Sequence, residues 1–255
     1  MSVENSKLTN LDSPDREEEI KKIILEKRSL KKFYEYCYAL YEQFTSVNSK
    51  EGVHLELGAG AGFLKEYNPK FTTTDLIPYR GVDQVVDAIN MPFVDDSVDS
   101  VSMLNVLHHI PDAAKMFAEL ERILKVGGRV VIIDQNRGWI SKPILKYVHH
   151  EAYEEDAADW QFKSEGPLSS ANGALAWIIF SRDIEKFKHE FPRLKLIKST
   201  SFAPLSYWLC GGLKDWCLMP GFLLKGFLRF ENAIARCMPP LGSFRLIVLV
   251  KVGEV

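Results

Sequence analysis

The chain is poor in several things, and each shortage excludes something. Cysteine is scarce: among 255 residues there are four, Cys37, Cys210, Cys217 and Cys237, scattered and without a C-x-x-C pair. That spacing argues against a disulfide framework and for buried, reduced thiols. Neither sign of charge is in excess, with 32 Lys and Arg against 34 Asp and Glu, a net charge of −2. A nucleic-acid enzyme needs surplus cations to neutralise phosphates, so nucleic acid is disfavoured as a partner. Long apolar runs are missing too. The most apolar stretch, 208–228, is interrupted by Lys214, Asp215 and Lys225, so no segment reads as a membrane-spanning helix. The opening residues Met1–Asp12 are polar and lack the apolar centre of a signal peptide, so a cytoplasmic protein is expected. There is no internal repeat and no low-complexity tract.

What is present is an ordinary globular composition, 46% hydrophobic and 26% charged, at a length that suits a single α/β domain with spare chain for elaborations. Ser13-Pro14 reads as a helix start, Ser as cap and Pro in the first turn. Ile20, Ile23, Ile24, Leu30, Tyr34, Cys37 and Tyr41 then recur at helical steps and form one apolar stripe. Lys27, Arg28, Lys31 and Lys32 read as a solvated helix face, with a phosphate-binding face as the alternative. From 53 onward short apolar runs alternate with helical stretches. Strands are expected at 53–57, 71–75, 82–86 (the weakest), 98–106 and 129–134. The helix between the last two is capped by Asp112 and stopped by Gly127-Gly128. Such alternation predicts a parallel sheet covered by helices on both faces. The pattern breaks over 135–180. A helix is expected at 181–191, a strand at 194–202, an aromatic insertion at 203–240 and a final strand at 244–252.

The chemistry concentrates where the first strand ends. Leu55-Glu56-Leu57-Gly58-Ala59-Gly60-Ala61-Gly62 places three alternating glycines at a strand tip, where backbone must turn sharply and approach a ligand. The helix that follows offers unpaired N–H groups. A dinucleotide-binding turn would want its third glycine or alanine at position 63, which is Phe63, so a nicotinamide oxidoreductase is disfavoured. Asp75 ends the second strand, where a carboxylate suits the two hydroxyls of a ribose. Asp87 ends the third, where it can accept from an adenine amine. The fourth strand runs through Asn105 into Leu107-His108-His109.

Taken in order, Glu56-x-Gly58-x-Gly60-x-Gly62, Asp75, Asp87 before Met91-Pro92-Phe93, Asp99, Leu107-His108-His109-Ile110 and Leu124-Lys125-x-Gly127-Gly128 resemble the class I S-adenosylmethionine-dependent methyltransferases. The resemblance is greatest to the small-molecule branch that includes the quinone C-methyltransferases, and it covers 52–134. It implies a Rossmann-like α/β fold, a sheet ordered 3-2-1-4-5-7-6 with strand 7 antiparallel. It also implies S-adenosylmethionine as the cofactor. Glu56 and Gly58 would hold its methionine end, with Ala59, Gly60 and Gly62 passing close. Asp75 and Leu76 would meet the ribose, Asp87 and Ala88 the adenine, and Asn105 the amino group. The expected organisation is one domain over 1–255: a helical cap at 14–50, a cofactor half at 52–134 and a substrate half at 135–255.

Methyl transfer from a sulfonium needs alignment and exclusion of water more than it needs chemistry from the protein. Tyr34, Tyr38 and Tyr41 are candidates for an aromatic wall or for core packing. His108 and His109 are candidate catalytic bases. His149, His150 and Glu151 fall in the variable insertion, where substrate contacts are expected. Adjacent histidines diverge on a helix and no spaced partner is evident, so no metal is expected. Tyr34, His149, His150 and Asn172 are taken as acceptor contacts. The acceptor is expected to be a small molecule, a saccharide or a lipid-linked intermediate. The aromatic insertion could rest on a membrane, cover the sheet or meet another chain. A catalytically silent S-adenosylmethionine-binding scaffold is the rival reading.

Overall fold

The computed structural model describes residues 12–45, 52–149 and 151–253. Seven strands make one sheet in the order β3-β2-β1-β4-β5-β7-β6. They are β1 (His54–Leu57), β2 (Phe71–Asp75), β3 (Gln84–Val85), β4 (Val98–Leu104), β5 (Leu124–Gln135), β6 (Leu194–Phe202) and β7 (Phe244–Lys251). Strands β1 to β5 are parallel, and β7 runs antiparallel to both β5 and β6. The order and the reversed strand are those the resemblance implies. Nine helices surround the sheet among the described residues: α1 (Arg16–Glu26), α2 (Arg28–Phe44), α3 (Leu64–Tyr67), α4 (Ala113–Ile123), α5 (Ser141–Tyr147), α6 (Leu175–Trp177), α7 (Ile184–Glu190), α8 (Ser206–Leu209) and α9 (Leu224–Cys237).

Alternation along the central strands sorts the core into two layers. Val130 and Ile132 of β5, with Ile247 and Leu249 of β7, face the cluster built around α4 and α7. Val131 and Ile133, with Leu246 and Val248, face the cluster made by α1, α2, α8 and α9. A two-residue period sends neighbouring side chains to opposite faces, which is why the whole run Val130–Ile133 is apolar and buried.

Four local expectations need correction. The first helix is two helices, because the chain bends at Lys27 (φ −82°, ψ 89°). There the Lys27 ammonium donates to the carbonyls of Cys210, Gly212 and Lys214. Lys32 donates to the Gly221 carbonyl at 2.9 Å while it and Arg28 stay exposed, so only Lys27 departs from the solvated face expected. Strand β3 is only two residues long, because Asp83 turns back to accept from the Thr73 N–H and hydroxyl. Gly127-Gly128 lies inside β5 rather than after the helix; Gly127 takes φ +85°, and pairing shifts register opposite Val98–Ser100. Finally, α7 starts at Ile184 rather than near 181, because Ile178–Arg182 is wound as a π-turn.

The 203–240 insertion is a cap on the sheet. Met219, Leu224 and Leu228 are buried in the cluster with α2, and Glu231 accepts from the N–H groups of Leu205 and Ser206, tying α9 to α8. No helix of the described residues is long and apolar enough to cross a membrane.

Candidate functional site

The carboxyl ends of β1, β2, β4 and β5 open into one cavity of about 780 Å³, within the range of roughly 300–1,000 Å³ usual for ligand pockets. Open parallel sheets place their ligand crevice at this edge. The first wall is the glycine turn. Gly58 takes φ +65°, and a Cβ there would stand 2.4 Å from a methyl of Val106. Gly60 takes φ +53° with no atom within 4 Å of its would-be Cβ, so its backbone faces open space. At Gly62 a Cβ would meet the Ala59 carbonyl oxygen at 2.8 Å and the Tyr38 hydroxyl at 2.9 Å. The turn is clamped from behind as well: Ala59 N–H donates to Thr74 O at 2.9 Å.

Acidic groups line the next wall. Asp75 accepts from the N–H groups of Gly60 and Ile77, each at 2.8 Å, which fixes the glycine turn to the tip of β2. Burial raises its carboxyl above the usual range, against the pull of those N–H groups. Asp87 accepts from Ile89 N–H at 3.0 Å, which holds the short loop carrying Ala88 against the cavity. Glu56 is buried, and its Oε2 has no hydrogen-bond partner among the described residues. Burial pushes its carboxyl well up, and the charge of Asp75 adds to the effect. Asn105 sits in the left-handed region at φ +56°, a conformation Asn tolerates better than most residues, and its Oδ1 is also unpartnered. Both residues line the same cavity.

The opposite end is a histidine cluster. The His108 Nδ1 lies 2.6 Å from Asp134 Oδ1, and its Nε2 lies 3.3 Å from Glu151 Oε2. Burial opposes a charge on this ring, but the two carboxylates outweigh it and push the imidazole up to about 10. His109 goes the other way. Burial, then the neighbouring His108 charge, push it down to about 4. The His109 Nδ1 is 3.0 Å from the Ser170 carbonyl, which can only accept, so this nitrogen carries the hydrogen and Nε2 the lone pair. That Nε2 lies 3.6 Å from Glu151 Oε1. His149 Nδ1 approaches the same carboxylate at 3.5 Å. The net effect of the histidines around it holds Glu151 ionised well below the usual carboxylate range, despite its burial.

These contacts sort the candidates. The cavity brings together Glu56, Gly58, Ala59, Gly60, Gly62, Asp75, Leu76, Asp87, Ala88, Asn105, His108, His109, Tyr34 and His149. Both ring nitrogens of His108 face carboxylates, Asp134 Oδ1 at 2.6 Å and Glu151 Oε2 at 3.3 Å, and those carboxylates favour its charged form over a base role. Tyr41 is buried in the core; Tyr38 is buried too, but touches the cavity through the hydroxyl that receives the Phe63 N–H. Asn172 is not on the cavity wall. It is buried, accepts from Glu154 and Ala174 N–H and donates to Glu154 O, so it staples its own loop. His150 lies outside the described residues. Sequence reasoning missed Asp134 and Gln135 as members of the site. The signal was there: a carboxylate ends a strand that is otherwise apolar.

Comparison with known proteins bears on the fold. Residues 55–132 match the family model described as a methyltransferase domain. A ubiquinone/menaquinone biosynthesis C-methyltransferase of Desulfotalea psychrophila is 41% identical over 56 residues, 22% of this chain and 23% of that protein. A chloroplastic tocopherol O-methyltransferase of Arabidopsis thaliana is 42% identical over 57 residues, 22% of this chain and 16% of that protein. The chain thus spans less than a quarter of the length of these two curated relatives. In three dimensions it resembles the geranyl diphosphate C-methyltransferase of Streptomyces coelicolor, solved with Mg2+, geranyl diphosphate and S-adenosyl-L-homocysteine. The TM-score is 0.51 at 15% identity, over 99% of this chain and 91% of that one. Residues 55–132 thus match a methyltransferase domain, and the sheet built around them has the fold of the class I S-adenosylmethionine-dependent methyltransferases.

Proposed function

We propose that this protein transfers a methyl group from S-adenosylmethionine to a small-molecule acceptor. The observation that carries the reading is the pair of orphaned, buried acceptors, Glu56 Oε2 and Asn105 Oδ1, on residues that line one cavity with Gly60. Buried acceptors without donors are unfavourable unless a ligand supplies the donors. A cationic amino group with a sulfonium nearby is such a ligand. Glu56 and Asn105 would receive the ammonium of its methionine end, Gly58 and Gly60 would pass beside its chain, Asp75 and Leu76 would take the ribose, and Asp87 and Ala88 the adenine. When bound, the cofactor supplies an activated methyl carbon; the acceptor atom forms the new bond to it while the carbon–sulfur bond breaks and sulfur keeps the electron pair. The chain aligns the two and excludes water, and alignment alone is worth roughly 7–11 kcal/mol of the barrier.

The acceptor end has apolar walls from Ile144, Val148, Trp208 and Trp216, with His109, Gln135, His149 and Glu151 among its polar groups. That combination supports an acceptor with an apolar body and a polar head, as a lipid-linked intermediate has, over a free saccharide. Phe222 and Phe230 stand exposed beside Lys225 and Arg229, which supports peripheral contact with a lipid surface. His109, with a lone pair on Nε2, is the remaining candidate base, and Tyr34 and His149 are the side chains placed to touch the acceptor.

The test is calorimetric titration with S-adenosylmethionine, followed by mass spectrometry of candidate acceptors. Asp75→Ala should weaken cofactor binding about 10- to 150-fold, the equivalent of one lost charge-assisted bond. An unchanged Kd would remove Asp75 from the site. A protein that binds the cofactor but never adds one methyl mass would be the silent scaffold instead.

A further inference from the structure

We propose that His108, His109 and Glu151 form a binding site for a first-row divalent cation, zinc-like in its preferences, at the acceptor end of the cavity. One ligand atom from each of the three lies within 4.8 Å of the others. The His108 Nε2 to Glu151 Oε2 distance of 3.3 Å already matches the edge of about 3.3 Å that a tetrahedral ion makes between ligands bound at about 2.0–2.1 Å. The second observation is what holds the rings. Each imidazole gives its Nδ1 to an outer acceptor, His108 to the Asp134 carboxylate at 2.6 Å and His109 to the Ser170 carbonyl at 3.0 Å. That is the support metal-bound histidines have, because it fixes tautomer and orientation and turns Nε2 inward. The third observation is spacing: the His109 Nε2 lies 3.6 Å from Glu151 Oε1, so this pair too is within reach of one ion.

Two nitrogens and one carboxylate favour a zinc-like ion over magnesium or calcium, which prefer oxygen alone. Three protein ligands leave a coordination position open, and all three residues line the cavity, so the open position faces the acceptor space. The acceptor class that follows is an oxygen nucleophile, a hydroxyl, phenol or enol, bound through that oxygen. This last step rests on the proposed methyl transfer; the metal site does not. Asp134 is a positioning residue, acting on the ion through His108.

The test uses tag-free full-length protein, stripped with chelator and dialysed against zinc, with cobalt(II) as a spectroscopic probe. One zinc per chain and a tetrahedral cobalt spectrum are expected. His109→Ala and Glu151→Gln should each abolish both, and Asp134→Asn should weaken zinc affinity about 10- to 100-fold. S-adenosylmethionine affinity of each variant, measured by calorimetry, reports that the fold is intact. Absence of stoichiometric zinc in protein that still binds S-adenosylmethionine overturns the site, as does zinc binding that survives both His109→Ala and Glu151→Gln. Zinc uptake by a protein that ignores S-adenosylmethionine would sustain the metal site while defeating the proposed transfer.

Discussion

His108 and Asp134 meet at 2.6 Å although 26 residues separate them, one in the turn after β4 and the other near the end of β5. Both side chains are buried, and a second carboxylate, Glu151, closes the far side of the ring. The pairing joins neighbouring strands at the rim of the cavity, so it matters for stability as well as for the site.

Removing one partner from a buried pair strands the other. Asp134→Ala should destabilise the protein by about 3–5 kcal/mol in denaturant titration, because it leaves the buried His108 without its principal counter-charge. A loss below about 1 kcal/mol, the level of an exposed pair, would show that the two groups are solvated in the folded protein.

Glu56 should give the stability curve a sign opposite to that of most carboxylates. Its folded-state affinity for a proton is raised by burial and then by Asp75. The stability associated with its neutral form is therefore complete below the unfolded carboxyl value of about 4.3 and is lost as pH climbs through the raised folded value. In the absence of cofactor, Glu56→Gln should flatten that decline and raise Tm at neutral pH. The same change should weaken S-adenosylmethionine binding. A variant that is less stable than the parent at pH 7 would contradict the orphaned position of Oε2.

The glycines of the turn should separate into two kinds. Gly58→Ala must displace Val106 as well as strain the backbone at φ +65°, whereas Gly60→Ala meets open space at φ +53°. Gly60→Ala should therefore lose about 1–2 kcal/mol from the left-handed backbone alone, and Gly58→Ala clearly more. Thermal denaturation of the pair checks the order. Equal losses would mean that the Val106 contact yields freely.

Lys27 joins the bend between α1 and α2 to three carbonyls of the 210–214 loop. Lys27→Met keeps most of the stem and deletes the charge, so its effect isolates these bonds. A loss of about 1–3 kcal/mol is expected, with faster hydrogen exchange confined to residues 208–217. Unchanged exchange in that loop would show that the Lys27 bonds do not hold it.

Local pattern was enough to read much of this molecule. The apolar run from Val130 to Ile133, the cap at Asp112 and the alternating glycines at 58–62 each announce their structure within a few residues, because strand period, capping and backbone freedom are local properties. The strand order and the adenosyl-binding candidates followed from the ordered motifs. What local pattern did not yield are the places where distant segments decide. The bend at Lys27 exists because carbonyls from residues 210–214 reach its ammonium. Asn172 looked available and is consumed by Glu154 and Ala174.

His108 and His109 are neighbours in sequence whose surroundings push them in opposite directions, and this contrast marks the division most sharply. One ring is enclosed by Asp134 and Glu151; the other meets a Ser170 carbonyl and the charge of its neighbour. Periodicity and backbone permissiveness act over a few residues, so the strand-and-glycine framework was legible from the chain alone. The surroundings of each histidine and their convergence on Glu151 were not, because burial and the carboxylates come from other strands and loops that the fold brings in.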